Sequence, residues 1–450
     1  MKAASLHILR SLLIKAPLVR QGEGNMKTYA EAEKYILDIP RFAGKHTLED
    51  TGRLLEEISD GRIKSRIVHV AGTNGKGSVC AYLRSILMES GYSVGMFISP
   101  HLETMRERIS INGVMISEKE FLNSFLKIKK IADGENHPSF FEFLFLMAMD
   151  YFAKKQPQYI ILETGLGGRL DATNCIEKPD VCIITEIGYD HMEYLGNSLS
   201  EIAAEKAGII KPGVPVVFMD KRPESTEVLT QYAKKAKSPA IKIGKDNILN
   251  VNINNKSIDF SFHTGYYNYV SLLLDTVALY QAENAALAVA AAEVLKDKGI
   301  TEASIRKGLR LTRWQGRMEE VMPDIYLDGA HNEDGIEAFL HTVQRDGGKG
   351  KRFLLFGVVQ DKRYDSMIQK IIQSGLFDQA AITLLETDRS ASIEELKTIW
   401  AQYTEIACSF HADAEEAYES LLSLKEDGDM IYIAGSIYLI GQMKSLMRRK

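Results

Sequence analysis

Residues 67–78 read Ile67-Val68-His69-Val70-Ala71-Gly72-Thr73-Asn74-Gly75-Lys76-Gly77-Ser78, and an apolar helical pattern then continues to Met88. The β-branched run predicts a strand, so this stretch has the order strand, glycine loop, helix. In such a loop backbone N–H groups converge on phosphate oxygens, and the helix N-terminus adds positive potential. Lys76 would reach the terminal phosphates, and Ser78 could approach a metal ion. We therefore predict a nucleotide-phosphate site; the alternative is a tight turn with a surface lysine.

The phosphate loop departs from the standard pattern at two positions. That pattern would place a glycine where Val70 stands, and a serine or threonine where Gly77 stands. The strand before the loop and the helix after it still favour phosphate binding over a simple turn.

Short β-branched runs alternate with helical patterns from Ile67 onward, which is typical of a parallel sheet covered by helices. The predicted strands of this first series span residues 67–70, 94–98, 159–162, 181–185 and 214–218. Strict alternation over residues 248–262, around Asn254 and Asn255, predicts a hairpin at the edge of the domain. Because ligands bind beyond the carboxyl ends of parallel strands, we expect the functional residues there.

A second series of predicted strands follows an alanine-rich helix at residues 282–296, and it spans residues 325–327, 352–359, 380–385 and 430–434. The stretch 309–316 before it carries charge and a glycine, so we place a domain boundary near Arg313 and predict domains at 26–312 and 313–450. Charges at Arg10 and Lys15 interrupt the apolar residues of 1–25, which favours a poorly ordered extension over a signal peptide. Translation from Met26 is a further possibility.

The composition is that of a globular protein: 450 residues, 45% hydrophobic and 26% charged, enough for two or three domains. A formal net charge of −5 supplies no basic field for nucleic acid or an acidic membrane, so we expect neither partner. No apolar run reaches the roughly eighteen residues that span a bilayer. The four cysteines form no CxxC pair, so neither a disulfide framework nor a zinc site is indicated. We expect a cytoplasmic monomer.

Several motifs resemble, in order, those of the Mur ligase superfamily. After the phosphate loop they are Ile98-Ser99-Pro100-His101-Leu102, Arg106-Glu107-Arg108-Ile109, Glu163-Thr164-Gly165-Leu166-Gly167-Gly168-Arg169-Leu170-Asp171-Ala172-Thr173-Asn174, Gly188-Tyr189-Asp190-His191, Ala204-Glu205-Lys206-Ala207-Gly208, Trp314-Gln315-Gly316-Arg317 and Asp328-Gly329-Ala330-His331-Asn332. The glycine directly after the loop lysine, Gly77, resembles the loop of the folylpolyglutamate synthase and dihydrofolate synthase branch. The likeness runs from about Met26 through nearly the whole chain. It implies an α/β fold: a phosphate-loop domain with a parallel sheet, like that of Mur ligases, and a smaller Rossmann-like α/β domain.

The resemblance implies a set of ATP-binding residues in both domains. They are Gly72, Thr73, Asn74, Gly75, Lys76, Gly77, Ser78, Asn284, Arg317, Asp328 and His331. An arginine can neutralise phosphate charge, and an aspartate can accept from ribose hydroxyls, so the residue types suit these roles. For Asn284, the alternative is a helix cap. ATP would then bridge two domains whose closure excludes water.

The resemblance also implies that Ser99, Glu163 and His191 bind magnesium beside the ATP phosphates. Carboxylate and hydroxyl oxygens suit a hard cation, whereas a histidine nitrogen suggests that manganese could substitute. Taken alone, each residue could equally be structural. Lys206 would by itself be read as a solvated lysine; in the resembling ligases the matching lysine is carbamylated and holds a second ion. Two ions beside a triphosphate require anionic ligands, because an ammonium would repel them. Lys76, His191 and Lys206 are the implied catalytic residues.

A pterin site is implied at Phe140, Phe141 and Glu142 and in the loop carrying Arg169, Asp171 and Ala172. An aromatic face can stack on a heterocycle while carboxylates accept from its ring N–H groups; core packing is the alternative for the phenylalanines.

The implied activity is ATP-dependent addition of L-glutamate to a folate, with dihydropteroate as a possible second substrate. The rivals are a Mur-type cell-wall ligase and a non-catalytic ATP-binding module.

Overall fold

We describe the protein from a computed structural model, over residues 26–40, 46–132, 137–254, 256–265, 267–403 and 406–449. The predicted extension at residues 1–25 and the predicted turn residue Asn255 lie outside these ranges. No helix in the described ranges is long and apolar enough to cross a membrane.

The first part of the chain is built on an eight-stranded sheet. Its strands are β1 (Arg66–Ala71), β2 (Val94–Phe97), β3 (Ile109–Ile111), β4 (Val114–Met115), β5 (Tyr159–Glu163), β6 (Val181–Ile184), β7 (Val216–Met219) and β8 (Ala240–Ile243). They lie in the order β4-β3-β2-β5-β1-β6-β7-β8. The six strands from β2 to β8 run parallel, while β3 and β4 add an antiparallel edge. The carboxyl ends of β2, β5, β1 and β6 therefore lie side by side.

Helices cover both faces of this sheet. They are α1 (Tyr29–Leu37), α2 (Leu48–Ser59), α3 (Lys76–Glu89), α4 (Glu118–Ile131), α5 (Phe140–Lys155), α6 (Met192–Leu195), α7 (Leu199–Ala207) and α8 (Pro223–Lys235). Many begin at sequence-encoded caps: Thr28, Thr47, Ser139 and Ser198 each accept from the backbone N–H three residues on. Apolar residues of α1, α2, α4 and α5 form one core against the sheet, and those of α7 and α8 form another.

A small antiparallel sheet packs against the two helices that follow it in the chain. It contains β9 (Ile248–Asn254), β10 (Ser257–His263) and β11 (Asn268–Leu274), in the order β11-β10-β9. With α9 (Gln281–Leu295) and α10 (Glu302–Leu311) it buries the other face of α3 and of the large sheet. The Arg306 guanidinium donates to the carbonyl oxygens of Val270 and Ser271, 3.0 Å each, along the outer edge of β11.

The second part of the chain contains a six-stranded sheet in the order β12-β13-β17-β14-β15-β16. Its elements are β12 (Glu319–Met322), β13 (Ile325–Leu327), α11 (Glu333–Arg345), β14 (Arg352–Phe356), α12 (Tyr364–Gln373), β15 (Gln379–Thr383), α13 (Ile393–Trp400), β16 (Ala407–His411), α14 (Ala414–Leu422), β17 (Met430–Ala434) and α15 (Ile437–Arg449). All pairs are parallel except β12 with β13. Separate cores on the two faces make this a second layered α/β unit.

The observed elements confirm both predicted strand series. The predicted hairpin forms, as β9 and β10 of the small sheet. Six strands were missed: β3, β4, β8, β11, β12 and β16. Each is short or lies at or near a sheet edge, where partly exposed residues interrupt the apolar pattern.

Candidate functional site

The phosphate loop leaves β1 and turns directly into α3. Gly75 is the N-terminal capping residue of α3 and has φ +87°. A Cβ atom at this position would lie 2.2 Å from Asn284 Oδ1, so glycine is required both by the backbone conformation and by the close approach of α9. The helix begins at Lys76, three residues earlier than its apolar pattern predicts.

Two lysines donate to one carbonyl group of this loop. Lys76 Nζ lies 3.2 Å from the carbonyl oxygens of both Gly72 and Thr73, and Lys206 Nζ lies 2.8 Å from the carbonyl oxygen of Gly72. Lys206 comes from α7 and is almost fully buried. Burial, aided by the nearby Lys76 ammonium, lowers the pKa of Lys206 to about 7. The sequence-based alternative of a solvated lysine is therefore wrong for the described structure.

The loop is fixed to the segment that follows β6. The Thr73 N–H donates to the Glu186 carbonyl oxygen at 2.8 Å, and the Thr185 hydroxyl donates to the Asn74 carbonyl oxygen at 2.6 Å. The Thr73 hydroxyl both donates to the Gly188 carbonyl and accepts from the Gly188 N–H, at 3.1 Å each. These bonds hold the phosphate loop against the segment that follows β6.

Trp314 explains the missing hydroxyl residue in the loop. A Cβ atom at Gly77 would lie 2.8 Å from Trp314 Cζ2, so the indole packs on α3 where the standard pattern carries serine or threonine. Trp314 follows α10, in the connection to the second sheet. The departure at Gly77 thus makes room for the connection between the two parts of the chain.

Gly77→Ser should therefore destabilise the protein by about 1–3 kcal/mol, because the added atoms overpack against the indole. The midpoint of thermal unfolding measures this loss. The same serine in a Trp314→Leu background should cost less, since the smaller side chain leaves space. An equal cost in both backgrounds would contradict the packing explanation.

Ser99 and Glu163 meet at the carboxyl ends of β2 and β5. The Ser99 N–H donates to Glu163 Oε2 at 3.1 Å. Burial raises the pKa of Glu163 to about 7, and the nearby Lys76 ammonium opposes this shift. The structure thus brings two of the three predicted metal ligands into contact and places a buried carboxyl group near a loop lysine.

His191 follows β6 and is the third of these residues. Desolvation lowers the pKa of His191 to about 4, although 39% of its side chain is exposed. A neutral imidazole has a nitrogen lone pair for a ligand. The preceding residue, Asp190, is buried, and its Oδ1 atom lies 3.9 Å from His191 Nε2. Burial alone would raise the pKa of Asp190, but His331 and Lys362 hold it well below its ordinary value.

Within the described residues, no three or more His, Cys, Asp or Glu side chains cluster in a geometry that would hold a metal ion. Glu163 and His191 therefore cannot form such a site without other donors, such as the Ser99 hydroxyl, phosphate oxygens or a modified lysine.

The second part of the chain faces the loop across an open cleft of about 590 Å³. The predicted ATP residues that line it are Asn74, Gly75, Ser78, Asn284, Arg317, Asp328 and His331. The other four, Gly72, Thr73, Lys76 and Gly77, belong to the same loop. At another part of the cleft Lys221 lies 3.0 Å from both Glu186 and Glu283, and Arg222 pairs with Asp334.

Asp328 is buried and largely engaged within the protein. It accepts from the Tyr280 hydroxyl at 2.5 Å and from the backbone N–H groups of Met318 at 3.0 Å and Ala330 at 2.9 Å. Burial raises the pKa of Asp328, and the Arg317 guanidinium opposes this shift. A carboxylate has about four acceptor positions, so one remains for a ligand.

Asn284 lies in the first turn of α9 and makes no side-chain cap bond there. Its Nδ2 atom donates to Gln281 Oε1 at 2.9 Å, and Gln281 in turn donates to the Ser78 hydroxyl at 3.2 Å. The capping alternative for Asn284 is therefore wrong, because Tyr280 occupies the cap position and no side-chain cap is made.

The predicted pterin residues of α5 have structural partners. Glu142 accepts from the Ser139 N–H at 2.6 Å, which closes a capping box, and lies 3.2 Å from His46 Nδ1. Phe141 packs on Phe97, with ring centroids 5.3 Å apart. Phe140 is covered instead by the Arg108 guanidinium, 5.4 Å from its ring centroid.

The loop after β5 is stabilised by hydrogen bonds between its own residues. Asp171 is buried and accepts from the N–H groups of Gly165 at 2.8 Å and Leu166 at 3.0 Å, and from Thr173. The Thr173 hydroxyl also lies 2.8 Å from the buried His69 ring. Ala172 is buried in the same short turn.

Arg169 joins this loop to α7, because its N–H donates to the Glu205 carbonyl at 2.8 Å and its guanidinium pairs with the Glu205 carboxylate at 2.9 Å. The Arg169–Ala172 loop is thus packed against the helix that carries Lys206.

Sequence reasoning missed four residues that connect the loop to the second part of the chain: Asp190, Trp314, Asn332 and Lys362. Asp190, Trp314 and Asn332 stand inside the Mur-ligase-like motifs, so their neighbours His191, Arg317 and His331 could have drawn attention to them. Lys362 follows β14, and the carboxyl end of a parallel strand is where a functional side chain is expected.

Comparison with known proteins defines the class first. Residues 70–292 match the Mur ligase middle domain, and residues 313–437 match the Mur ligase glutamate ligase domain. A dihydrofolate synthase/folylpolyglutamate synthase of Bacillus subtilis is 34% identical over 441 residues, covering 93% of this chain and 99% of its own. The fold is thus that of a Mur-type ligase.

Solved structures give the same result. FolC of E. coli in complex with DHPP and ADP superposes with a TM-score of 0.83 at 27% identity, covering 94% of this chain and 99% of its own. A Mycobacterium tuberculosis folylpolyglutamate synthase complexed with ADP gives 0.85 at 26% identity, covering 94% and 98%. The chain belongs to the folylpolyglutamate synthase/dihydrofolate synthase family. This confirms the resemblance, the fold class and the predicted type of enzyme, an ATP-dependent ligase.

Proposed function

We propose that the cleft between the phosphate loop and the second sheet joins L-glutamate to a folate at the expense of ATP. The observation that carries this proposal is a phosphate loop, with Lys76 and Lys206 both on its Gly72 carbonyl group, facing Arg317 across one cleft in a chain of this family. A carboxylate is a poor electrophile, so amide formation at neutral pH requires its activation. Loop amides, lysines and an arginine suit the handling of a triphosphate that supplies this activation.

The nucleotide would lie with its phosphates on residues 72–78 and its nucleoside towards Asn284, Asp328 and His331. The N-terminus of α3 and Lys76 would neutralise the phosphates from one side, and Arg317 from the other. The remaining acceptor position of Asp328 would serve a ribose hydroxyl. The relatives solved with ADP support nucleotide binding in this cleft.

Magnesium would be held by Ser99, Glu163 and His191. The donors fit a hard cation, because Glu163 is a buried carboxylate with one hydrogen bond from Ser99 and His191 is neutral. Bound there, the ion would neutralise phosphate charge during transfer. A carbamylated Lys206 would supply a further anionic ligand. Its lowered pKa supports that modification, since at pH 7 the reactive neutral amine is roughly a thousandfold more abundant than for an ordinary lysine.

The reaction would pass the γ-phosphoryl group from ATP to the substrate carboxylate, breaking the bond to the β-phosphate oxygen and releasing ADP. The glutamate amine, after losing a proton, would attack the acyl phosphate, and the tetrahedral adduct would collapse to amide and phosphate. Lys76 and Arg317 would stabilise the charge on the transferred group. Closure of the cleft would keep water from the acyl phosphate.

A pterin site at Phe140, Phe141 and the loop carrying Arg169, Asp171 and Ala172 is supported by the packing of that loop against α7. Because Glu142 and Asp171 make internal bonds, we assign them to shaping this site. Dihydropteroate is the second candidate substrate, supported by the dual name of the Bacillus subtilis relative. A cytoplasmic monomer stays our expectation.

The test is an assay of purified protein with ATP, magnesium and labelled L-glutamate, run in parallel with tetrahydrofolate and dihydropteroate. We expect ADP release to require a folate and glutamate together, and label to enter the folate product. Product with dihydropteroate as well would establish both activities. ATP binding without turnover on either acceptor would contradict the proposal and favour a non-catalytic module.

A further inference from the structure

We propose that Asp190 is a positioning residue that docks the second sheet onto the phosphate loop, through Lys362 and Asn332. The inference builds on the proposed function, since it concerns how the ATP cleft is closed. It rests on contacts that the ligase motifs do not assign.

Asp190 belongs to the first part of the chain but bonds mainly to the second. It follows β6, and its carboxylate forms a close ion pair with Lys362. Its Oδ2 atom lies 3.2 Å from Asn332 Nδ2 and 3.6 Å from His331 Nε2. One carboxylate thus joins three side chains from the opposite wall of the cleft.

Lys362 depends on this carboxylate. It lies between β14 and α12, and its side chain is only 8% exposed, while that of Asp190 is 7% exposed. A lysine this deeply buried is stable as a cation only with an anionic partner close by. Whenever the two walls are in contact, the buried Lys362 cation therefore needs the Asp190 carboxylate beside it.

Asn332 extends the contact to the phosphate loop. Its Nδ2 atom donates to Asn74 Oδ1 at 3.0 Å, and Asn74 Nδ2 donates to Asn332 Oδ1 at 3.3 Å. Asn332 is itself fixed, because it caps α11 by accepting from the Gly335 N–H at 2.8 Å. A continuous series of polar contacts therefore runs from Lys362 through Asp190 and Asn332 to Asn74. Docking of the second sheet thus also fixes the conformation of the phosphate loop.

A nearby glycine permits this close approach. A Cβ atom at Gly188 would lie 1.9 Å from Asp334 Oδ2, on the first turn of α11. Gly188 also exchanges two hydrogen bonds with Thr73 of the loop. The segment around Asp190 is thus shaped to receive the second sheet as well as to hold the loop.

The test is a double-mutant cycle of Asp190→Asn, Lys362→Met and the double variant, with kcat and the KM for ATP measured separately. Each single change should lower kcat/KM for ATP by about a hundredfold, because the Arg317 and His331 side of the cleft is misplaced. The kcat/KM of the double variant should be little lower than that of either single variant. Lys362→Arg, which keeps the positive charge, should retain most of the wild-type activity. Arg363→Gln, which breaks an ion pair with Glu333 inside the second part, is the matched control and should be near wild type.

Small-angle X-ray scattering supplies a readout independent of ligation. Both single variants should have a larger radius of gyration than the wild type, while thermal unfolding shows that they remain folded. If the losses in kcat/KM of the two single variants multiply in the double variant, docking through Asp190 and Lys362 is overturned. It is also overturned if the loss is confined to the KM for L-glutamate. A wild type inactive on both acceptors would refute the proposed function, yet scattering would still test the docking.

Discussion

Lys206→Ala is expected to lower kcat by about two to three orders of magnitude, the range found when one preorganised charge-stabilising group is lost. The physical reason is the position of the side chain: its Nζ atom lies 2.8 Å from the Gly72 carbonyl oxygen, against the backbone of the phosphate loop. Alanine removes both that contact and the anion that carbamylation would provide. Steady-state rates of ADP release with saturating folate and glutamate measure the loss.

Bicarbonate distinguishes a carbamate from a simple contact. High bicarbonate should not restore Lys206→Ala, and ¹³C NMR with labelled bicarbonate should show a carbamate signal in the wild type that the variant lacks. Lys235→Ala, an exposed lysine on α8, is the matched control and should leave both observations unchanged. Normal turnover by Lys206→Ala would remove this residue from the mechanism.

Gly75→Ala is expected to lower kcat/KM for ATP by about a hundredfold, because two effects act together at this residue. Its φ of +87° costs an alanine about 1–2 kcal/mol, and the new Cβ atom would lie 2.2 Å from Asn284 Oδ1. Either the loop amides or Asn284 must shift, and both are proposed nucleotide contacts. Kinetics at varied ATP concentration measure the effect.

The same helix offers a control for backbone strain alone. Gly91, just beyond the carboxyl end of α3, has φ +88°, and no atom lies within 4 Å of a Cβ built there. Gly91→Ala should therefore lose about 1 kcal/mol of stability and keep its kinetics. If both alanine variants show the same small kinetic change, the contact with Asn284 is not what makes Gly75 necessary.

Local patterns were enough to predict the main strands and the phosphate loop. The run from Ile67 to Ser78 encodes a strand, a turn and a helix N-terminus in consecutive residues. Each of these three elements is determined by residues next to one another in the sequence. The motif order then led to the family. Strands such as β12 and β16 were missed because they lie at sheet edges, where burial no longer enforces an apolar sequence.

Contacts between distant segments could not be predicted in the same way. Lys362 meets Asp190 across 172 positions, and nothing in either local sequence encodes the pairing. Glu142 is different: the spacing from Ser139 is that of a capping box, so its structural bond could have been foreseen. The roles of the predicted site residues in binding and catalysis stay predictions.

The Arg306 contact has a consequence for the behaviour of the protein at high concentration. A free strand edge can template the addition of a strand from another molecule, and β11 exposes apolar side chains at Val270 and Leu273 beside its edge. With two of its carbonyl groups already bonded to the guanidinium, β11 offers an incomplete ladder to an incoming chain. We therefore expect Arg306 to disfavour strand addition at β11, and with it self-association through the small sheet.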